Sequence, residues 1–325
     1  MSGPRVLVTG AAGYLGSVLI ASLGAPEPSR RLETLLATDI REPAPASRMP
    51  GAIYAVVDVR SPAIADLMRH HRIDTVVHLA SIVTPGKGSS REFEYSVDVL
   101  GTRNVLEASV TAGVRRFIVT SSGAAYGYHA DNPSLISEDQ PLRGNEEFAY
   151  SWHKRLVEEM LAEYRQRHPQ LAQVIFRVGT ILGDTTRNQI TALFERRRLL
   201  AIRGSDSPFV FIWDRDVIGC IEMAIFTEKA GIYNVAGDGA LSIREIAARL
   251  GKPVVSLPAW LLRGGLALGK RLGLTQYGPE QVDFLRYRPV LDNRRLKEQF
   301  GYRPQLTSAE VFELFQRSRR LERQG

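Results

Sequence analysis

Apolar positions along this chain follow two rhythms. Short runs rich in branched apolar residues recur at Arg5–Thr9, Leu35–Asp39, Ile53–Val57, Thr75–Leu79, Arg116–Thr120 and Ala172–Phe176. They have the length and continuity of strands covered on both faces. Helical patterns lie among them, at Ser17–Leu23, Ala63–Met68, Phe93–Ala112 and Tyr150–His168. In the third of these, Val97, Leu100, Val105, Leu106 and Val110 make one apolar side. Strand alternating with helix predicts a doubly wound parallel α/β sheet. Beyond residue 178 the alternation thins. Helices are expected at Asn188–Leu200, Asp216–Thr227, Ser242–Leu250, Asp292–Phe300 and Ser308–Arg319, with Ser242 and Glu245 spaced as a capping box. Strands are expected at Phe209–Ile212 and at Gly231–Val235, the second able to rejoin the main sheet. The division predicted is a first domain over 1–178 to which 213–236 returns, and a smaller C-terminal substrate lobe built from 179–212 and 237–325.

The turn after the first strand gives that sheet a purpose. Gly10, Gly13 and Gly16 stand between strand and helix. In a Rossmann-type sheet such glycines provide the tight turn, the close backbone approach to a pyrophosphate, and the close packing of helix on strand. The helix N-terminus adds unpaired N–H groups and partial positive charge. The second strand ends at Asp39, 23 residues beyond Gly16. An acid there can accept both ribose hydroxyls of an adenosine and repel a 2′-phosphate, which favours NAD; Arg41 nearby leaves NADP open. Asp58, just beyond the third strand, reads either as an acceptor for an adenine amino group or as a cap for the helix after Pro62. His78, within an apolar strand, reads as structural.

Composition narrows the classes. A chain of 325 residues with 44 % hydrophobic and 24 % charged residues is long enough for two unequal domains. Its single cysteine, Cys220, excludes an intrachain disulfide framework and a Cys-rich metal site, and reads as a small core residue; no metal is implied. The formal net charge is +7. Arg196–Arg198 and the cluster of Arg317, Arg319, Arg320 and Arg323 are not interleaved with aromatics, so they read as solvated helix faces rather than a nucleic-acid site. The residues at 1–20 read as strand and helix, not as a signal peptide, and the expected location is cytoplasmic. The apolar stretch Val254–Leu274 is interrupted by Pro258, Arg263 and Lys270, too broken for stable membrane insertion. It reads as a packed helix, an apolar substrate wall or a membrane-facing lid.

Tyr150 and Lys154 carry the chemistry. Four residues apart on one helix, their side chains share a face. An ammonium beside a phenol stabilises the phenolate and suits it to proton transfer near neutral pH. Ser122, at the end of the fifth strand, can hold a substrate oxygen. The polar connection 123–147 can cover the mouth of such a site.

With these residues in place, the chain resembles the extended short-chain dehydrogenase/reductases, the NAD-dependent epimerase/dehydratase family. The TGxxGxxG pattern matches Thr9, Gly10, Gly13 and Gly16, and the acidic adenosine position matches Asp39. Asp58-Val59 matches the adenine motif and His78-Leu79-Ala80 the strand-4 motif. The serine stretch runs from Ser121 and Ser122 to Tyr126-Gly127, and YxxxK falls on Tyr150 and Lys154. Gly231–Gly237, Leu291-Asp292-Asn293 and Gly301–Pro304 resemble the family's late signatures. The resemblance implies catalysis by Ser122, Tyr150 and Lys154. It implies cofactor contacts from Gly10, Ala12, Gly13, Tyr14, Leu15, Gly16, Asp39, Ile40, Asp58, Val59, Leu79, Ala80, Ser81, Thr120, Tyr150 and Lys154. It also implies a homodimer built on the Phe93–Ala112 and Tyr150–His168 helices.

Departures from the pattern bear on the substrate. Val178, Gly179 and Thr180 stand where sugar-nucleotide enzymes of the family usually carry an Asn after the strand-6 Arg. Asp98 replaces a frequent Asn. Ser122-Gly123-Ala124 has no acid for water elimination. No arginine precedes Phe209 as a pyrophosphate anchor, Arg203 and Arg215 being the nearest. Phe209, Phe211, Trp213, Trp260, Leu261 and Leu262 can instead line an apolar pocket. The expectation is therefore an NAD(P)-dependent oxidoreductase interconverting a secondary alcohol and a ketone on a hydrophobic small molecule. The alternatives are a nucleoside-diphosphate-sugar epimerase working through a transient ketone and, further off, a non-enzymatic dinucleotide sensor.

Overall fold

A computed structural model describes residues 3–25, 30–86, 88–275 and 278–322. The chain runs through β1 (Arg5–Thr9), α1 (Tyr14–Gly24), β2 (Thr34–Asp39), β3 (Ala52–Val56), α2 (Ala63–His70) and β4 (Thr75–His78). A helical stretch follows as α3 (Arg91–Tyr95), a π-turn at Ser96–Gly101 and α4 (Thr102–Thr111). Next come β5 (Arg116–Ser122), a 3-10 turn at Gly123–Tyr126, α5 (Ala149–Arg167), β6 (Ala172–Val178), β7 (Thr180–Leu182), α6 (Gln189–Glu195) and β8 (Leu199–Ile202). The chain continues as β9 (Phe211–Trp213), α7 (Asp214–Phe226), β10 (Gly231–Val235), α8 (Ile243–Leu250), β11 (Val254–Leu257), α9 (Ala259–Arg271), α10 (Gln281–Arg286) and α11 (Ser308–Glu322).

Seven parallel strands form the central sheet in the order β10-β6-β5-β4-β1-β2-β3. Alternate side chains of β1 enter opposite cores, as the pleat requires. Val6 and Val8 pack with Leu19, Ile20 and Ile221, whereas Leu7 packs with Leu36, Ile64, Met68 and Leu106. The strand order reverses between β1 and β4. A crevice therefore opens at their carboxyl ends, the place where such sheets receive ligands. A third core, around Leu182, Phe194, Phe209, Phe211, Phe312 and Phe315, gathers elements that follow β6.

The Rossmann-type sheet is as the hydrophobic pattern predicts, including the return of β10 to its edge. Three local expectations change. The helix predicted over 188–200 stops at Glu195, because pairing with β11 turns Leu199–Ile202 into a strand and buries Leu199, Ala201 and Ile202. The apolar stretch Val254–Leu274 divides at Pro258 into β11 and α9. The single helix predicted over Phe93–Ala112 contains a π-turn, in which Asp98 is buried.

Candidate active site

The glycine turn is held as close packing demands. Gly10 has φ +70, and a Cβ on it would lie 2.7 Å from the Ala80 nitrogen, so the turn after β1 touches the end of β4. A Cβ on Gly16 would sit 2.1 Å from the Gly10 carbonyl oxygen. On Gly13 it would meet only that same oxygen, at 3.1 Å. Gly13 is the N-cap of α1, with no side-chain cap and no acid in the first turn. The helix N-terminus therefore offers its N–H groups outward, a cradle that fits a pyrophosphate. The Tyr14 hydroxyl donates to Asp214 Oδ2 at 2.6 Å and accepts from Thr186, tying the turn to α7; burial, then Asp214, push its pKa up to about 12. Leu15 packs against the core.

Asp39 has one carboxylate oxygen committed to the same turn, where it accepts from the Ala12 N–H at 3.0 Å; the other accepts from the Arg41 N–H at 3.2 Å. Ile40 beside it is 62 % exposed. A shallow hollow lies here, bounded by Ala12, Asp39, Arg41, Tyr54 and Val56. Asp58 does not cap α2, whose N-cap is Pro62. It accepts from the Arg60 backbone and guanidinium, which hold its carboxyl below the usual range. Val59 is buried, and its carbonyl accepts from Asn104 at 2.7 Å.

At the end of β4, Leu79 N–H donates to the Thr9 carbonyl and Ala80 N–H to the Thr9 hydroxyl. His78 lies between Thr9 Oγ1 at 2.8 Å and Thr102 Oγ1 at 3.0 Å, and burial pulls its pKa down to about 3. A neutral, doubly bonded imidazole suits the structural role read for it. Ser81 Oγ and the Ile82 N–H both donate to Asp98 Oδ1, and Asp98 Oδ2 is 3.2 Å from His153 Nδ1. His153 Nε2 is buried without a partner among the described residues. A buried carboxylate thus joins the cofactor side of the crevice to the helix bearing Tyr150 and Lys154.

Lys154 is 7 % exposed; its ammonium donates to the Thr120 carbonyl at 3.1 Å and lies 5.5 Å from the centre of the Tyr150 ring. The β5 backbone therefore fixes the cation beside the phenol. Ser122 caps the 3-10 turn by accepting from the Ala124 N–H at 3.1 Å, which leaves its own hydroxyl proton free to donate. Ser151, next to Tyr150, donates to the Ala124 carbonyl and so bonds α5 to the Ser122 turn. Beneath lies a buried network: Arg177 pairs with Glu158 and donates to the Tyr126 hydroxyl, which donates to Asn234. Asn234 donates to the carbonyls of Ile136 and Asp292. The late signatures thus anchor the 123–147 connection.

Sequence reasoning missed Arg288. Its guanidinium lies 3.7 Å from the Phe209 ring centre and 4.6 Å from that of Phe284. Nε donates to the Phe284 carbonyl, whereas both terminal nitrogens are buried with no partner among the described residues. Burial pulls its pKa down to about 9, still leaving it charged at neutral pH. The rings of Tyr128, Phe148 and Phe284 pack on one another, and Phe148 is the N-cap of α5, two residues before Tyr150. No arginine stands just before Phe209 in sequence, but one from a distant segment lies over its ring. No local spacing signals it.

The apolar wall read from sequence is dispersed. Phe209 and Phe211 belong to the small core, while Trp260 is 73 % exposed and Leu261 45 % exposed on α9. Among the described residues no group of three or more His, Cys, Asp or Glu could hold a metal ion.

Comparison with known proteins gives the family and the fold. An uncharacterised protein of Mycobacterium tuberculosis is 28 % identical over 320 residues, covering 97 % of this chain and 84 % of that protein. A UDP-glucose 4-epimerase of Azospirillum brasilense is 33 % identical over 224 residues, 63 % of this chain and 61 % of the relative. The fold is shared with the crystal structure of a UDP-glucose 4-epimerase from Thermotoga maritima with UDP-glucose, at a TM-score of 0.75, 18 % identity and coverage of 98 % and 99 % of the two chains. The family profile described as NAD dependent epimerase/dehydratase matches residues 6–236, and the chain belongs to that family of enzymes.

Proposed function

We propose that this enzyme epimerises a sugar nucleotide by oxidising a secondary hydroxyl and reducing the resulting carbonyl from the opposite face. Arg288 carries this reading. A buried cation with two uncommitted donors is costly unless an anion completes it. A nucleoside diphosphate supplies one, and two of the proteins named above are UDP-glucose 4-epimerases. The apolar wall that favoured a hydrophobic alcohol does not assemble. Dehydration is disfavoured because Gly123 and Ala124 follow Ser122 with no acid.

The residues present fit NAD. The uncapped α1 N-terminus with the space over Gly13 would hold its pyrophosphate, and Asp39 its adenosine ribose. Asp58 and Val59 would flank the adenine, and Lys154 would hold the nicotinamide ribose. NAD, when bound, supplies a hydride acceptor in the first half-reaction and the donor in the second. In the first, Tyr150 takes the proton from the substrate hydroxyl while Ser122 donates a hydrogen bond to the same oxygen. Lys154, held by the Thr120 carbonyl, keeps its ammonium beside the Tyr150 ring. In the second half, Tyr150 returns the proton to the oxygen. Arg288 keeps the diphosphate anchored while the sugar presents its other face.

The test is incubation of the purified protein and NAD with UDP-glucose and related sugar nucleotides, following isomers by chromatography and NADH by absorbance. Appearance of an isomeric sugar nucleotide without net NADH is expected. Steady NADH formation from hydrophobic secondary alcohols, with every sugar nucleotide unchanged, would overturn it.

A further inference from the structure

His153 stands between Tyr150 and Lys154 on α5, three residues after the first and one before the second. It is 1 % exposed, and its ring meets that of Tyr95 edge-on with centres 5.7 Å apart. Asp98, itself buried, lies 3.2 Å from His153 Nδ1. A carboxylate only accepts, so His153 donates to it from Nδ1. Nε2 is then a buried lone pair with no partner among the described residues. A leucine would fill the same volume without orphaning a nitrogen, so packing does not account for a histidine there. The bond to Asp98 does.

Asp98 is fastened to the end of β4 by two routes. Its Oδ1 accepts from Ser81 Oγ at 3.0 Å and from the Ile82 N–H at 2.8 Å. Its carbonyl accepts from the Thr102 hydroxyl, which accepts in turn from His78 Nε2 within β4. The π-turn at Ser96–Gly101 carries Asp98 to this position, and such turns recur at functional sites. An asparagine at 98, with its oxygen turned to Ser81 and Ile82, would face α5 with an amide donor. The carboxylate faces it with an acceptor, and His153 is the donor that answers. The two side chains therefore act together, one fixed to β4 and the other to α5.

Strand order says which part of the crevice they brace. On one side of β1 lie β2 and β3, with Asp39 and Asp58 at their ends; on the other lie β4 and β5. With a pyrophosphate over the glycine turn after β1, the adenosine runs toward β2 and β3 and the nicotinamide half toward Ser81, Ile82 and α5. We propose that Asp98 and His153 are positioning residues for NAD: their bond holds the Ser81–Ile82 turn against α5 and so shapes the seat of the nicotinamide half. This rests on the cofactor placement given under the proposed function, and not on the sugar-nucleotide substrate.

The experiment is calorimetric titration of NAD and of ADP into the full chain stripped of bound nucleotide. ADP has the adenosine and the two phosphates but no nicotinamide half. His153→Leu should raise the Kd for NAD about tenfold and leave that for ADP within about twofold. His153→Asn, whose amide nitrogen can donate where Nδ1 does, should restore most of the NAD affinity. A folded H153L that binds NAD as wild type does, or that loses NAD and ADP equally, overturns the proposal, as does an H153N that restores nothing. Should H153L not fold, nitrogen-15 spectra of the wild-type histidine rings decide. The His153 signal, identified by its loss in H153N, is expected to shift on adding NAD and not on adding ADP; a signal that NAD leaves in place, or that ADP moves equally, overturns the proposal. D39A reports on the cofactor placement separately, since it should weaken both ligands whatever His153 does. If it weakens neither, that placement fails and this proposal with it.

Discussion

The guanidinium of Arg288 lies 3.7 Å from the centre of the Phe209 ring, though 79 positions separate them in the chain. The pair holds a buried guanidinium whose two terminal nitrogens have no partner among the described residues, at what the proposed reading makes the substrate end of the site. Replacing Arg288 by Ala should raise KM for a sugar nucleotide by about ten- to a hundredfold. That follows from losing hydrogen bonds to a charged group worth about 1.5–3 kcal/mol. NAD affinity, measured by fluorescence titration, should stay unchanged. Lys should restore only part of the loss, because one ammonium does not reproduce the planar fork. An unaltered KM would remove Arg288 from the site.

Tyr150→Phe keeps the ring beside Lys154 and deletes the group that moves the proton. Turnover should fall by about a hundredfold or more, the usual range for a positioned acid–base group, with NAD binding nearly intact. Near-normal kcat would refute the role given to Tyr150.

Asp39 accepts from the Ala12 N–H as well as standing where a ribose would bind. Asp39→Ala should therefore weaken NAD binding by about tenfold or more and narrow the ratio of NAD to NADP affinity. Unchanged discrimination against NADP would show that Asp39 serves only the turn.

Acid should destabilise the protein through His78. Its pKa is near 3 in the folded chain against 6.5 as the ordinary value. Between those values the unfolded state binds the extra proton. The stability this group permits is complete above about pH 6.5 and is lost as pH falls toward 3, at up to about 1.4 kcal/mol per unit. Urea unfolding followed from about pH 7.5 to 4.5 should show a shallower slope for His78→Gln than for wild type. Parallel slopes would contradict the prediction.

The buried Arg177–Glu158 pair gives a stability test away from the chemistry. Glu158→Ala leaves a guanidinium uncompensated under the site, which typically costs about 3–5 kcal/mol. Chemical denaturation should register that loss, and a cost below about 1 kcal/mol would mean that Arg177 finds another partner.

What the sequence determined by itself was local. Strands such as Arg5–Thr9 are continuous apolar runs, and three glycines with a helix behind them fix a turn through steric exclusion. Tyr150 and Lys154 share a face because a helix repeats every 3.6 residues. The capping box of Ser242 and Glu245 follows equally from spacing, and both reciprocal bonds form. Long-range arrangement was decided only by tertiary structure. Leu199–Ile202 followed a helical pattern until β11 gave it a pairing partner. Asp98 was read as a departure from the family's pattern; its bonds to Ser81, Ile82 and His153 come from separate elements. Phe211 and Trp260 are alike in sequence as large apolar side chains, yet folding encloses Phe211 among other rings and leaves Trp260 in solvent. Hydrophobicity fixes how strongly a side chain avoids water, but the packing of distant elements decides which of them are covered. Arg288 reaches Phe209 for the same reason: a contact across 79 residues has no periodicity to announce it.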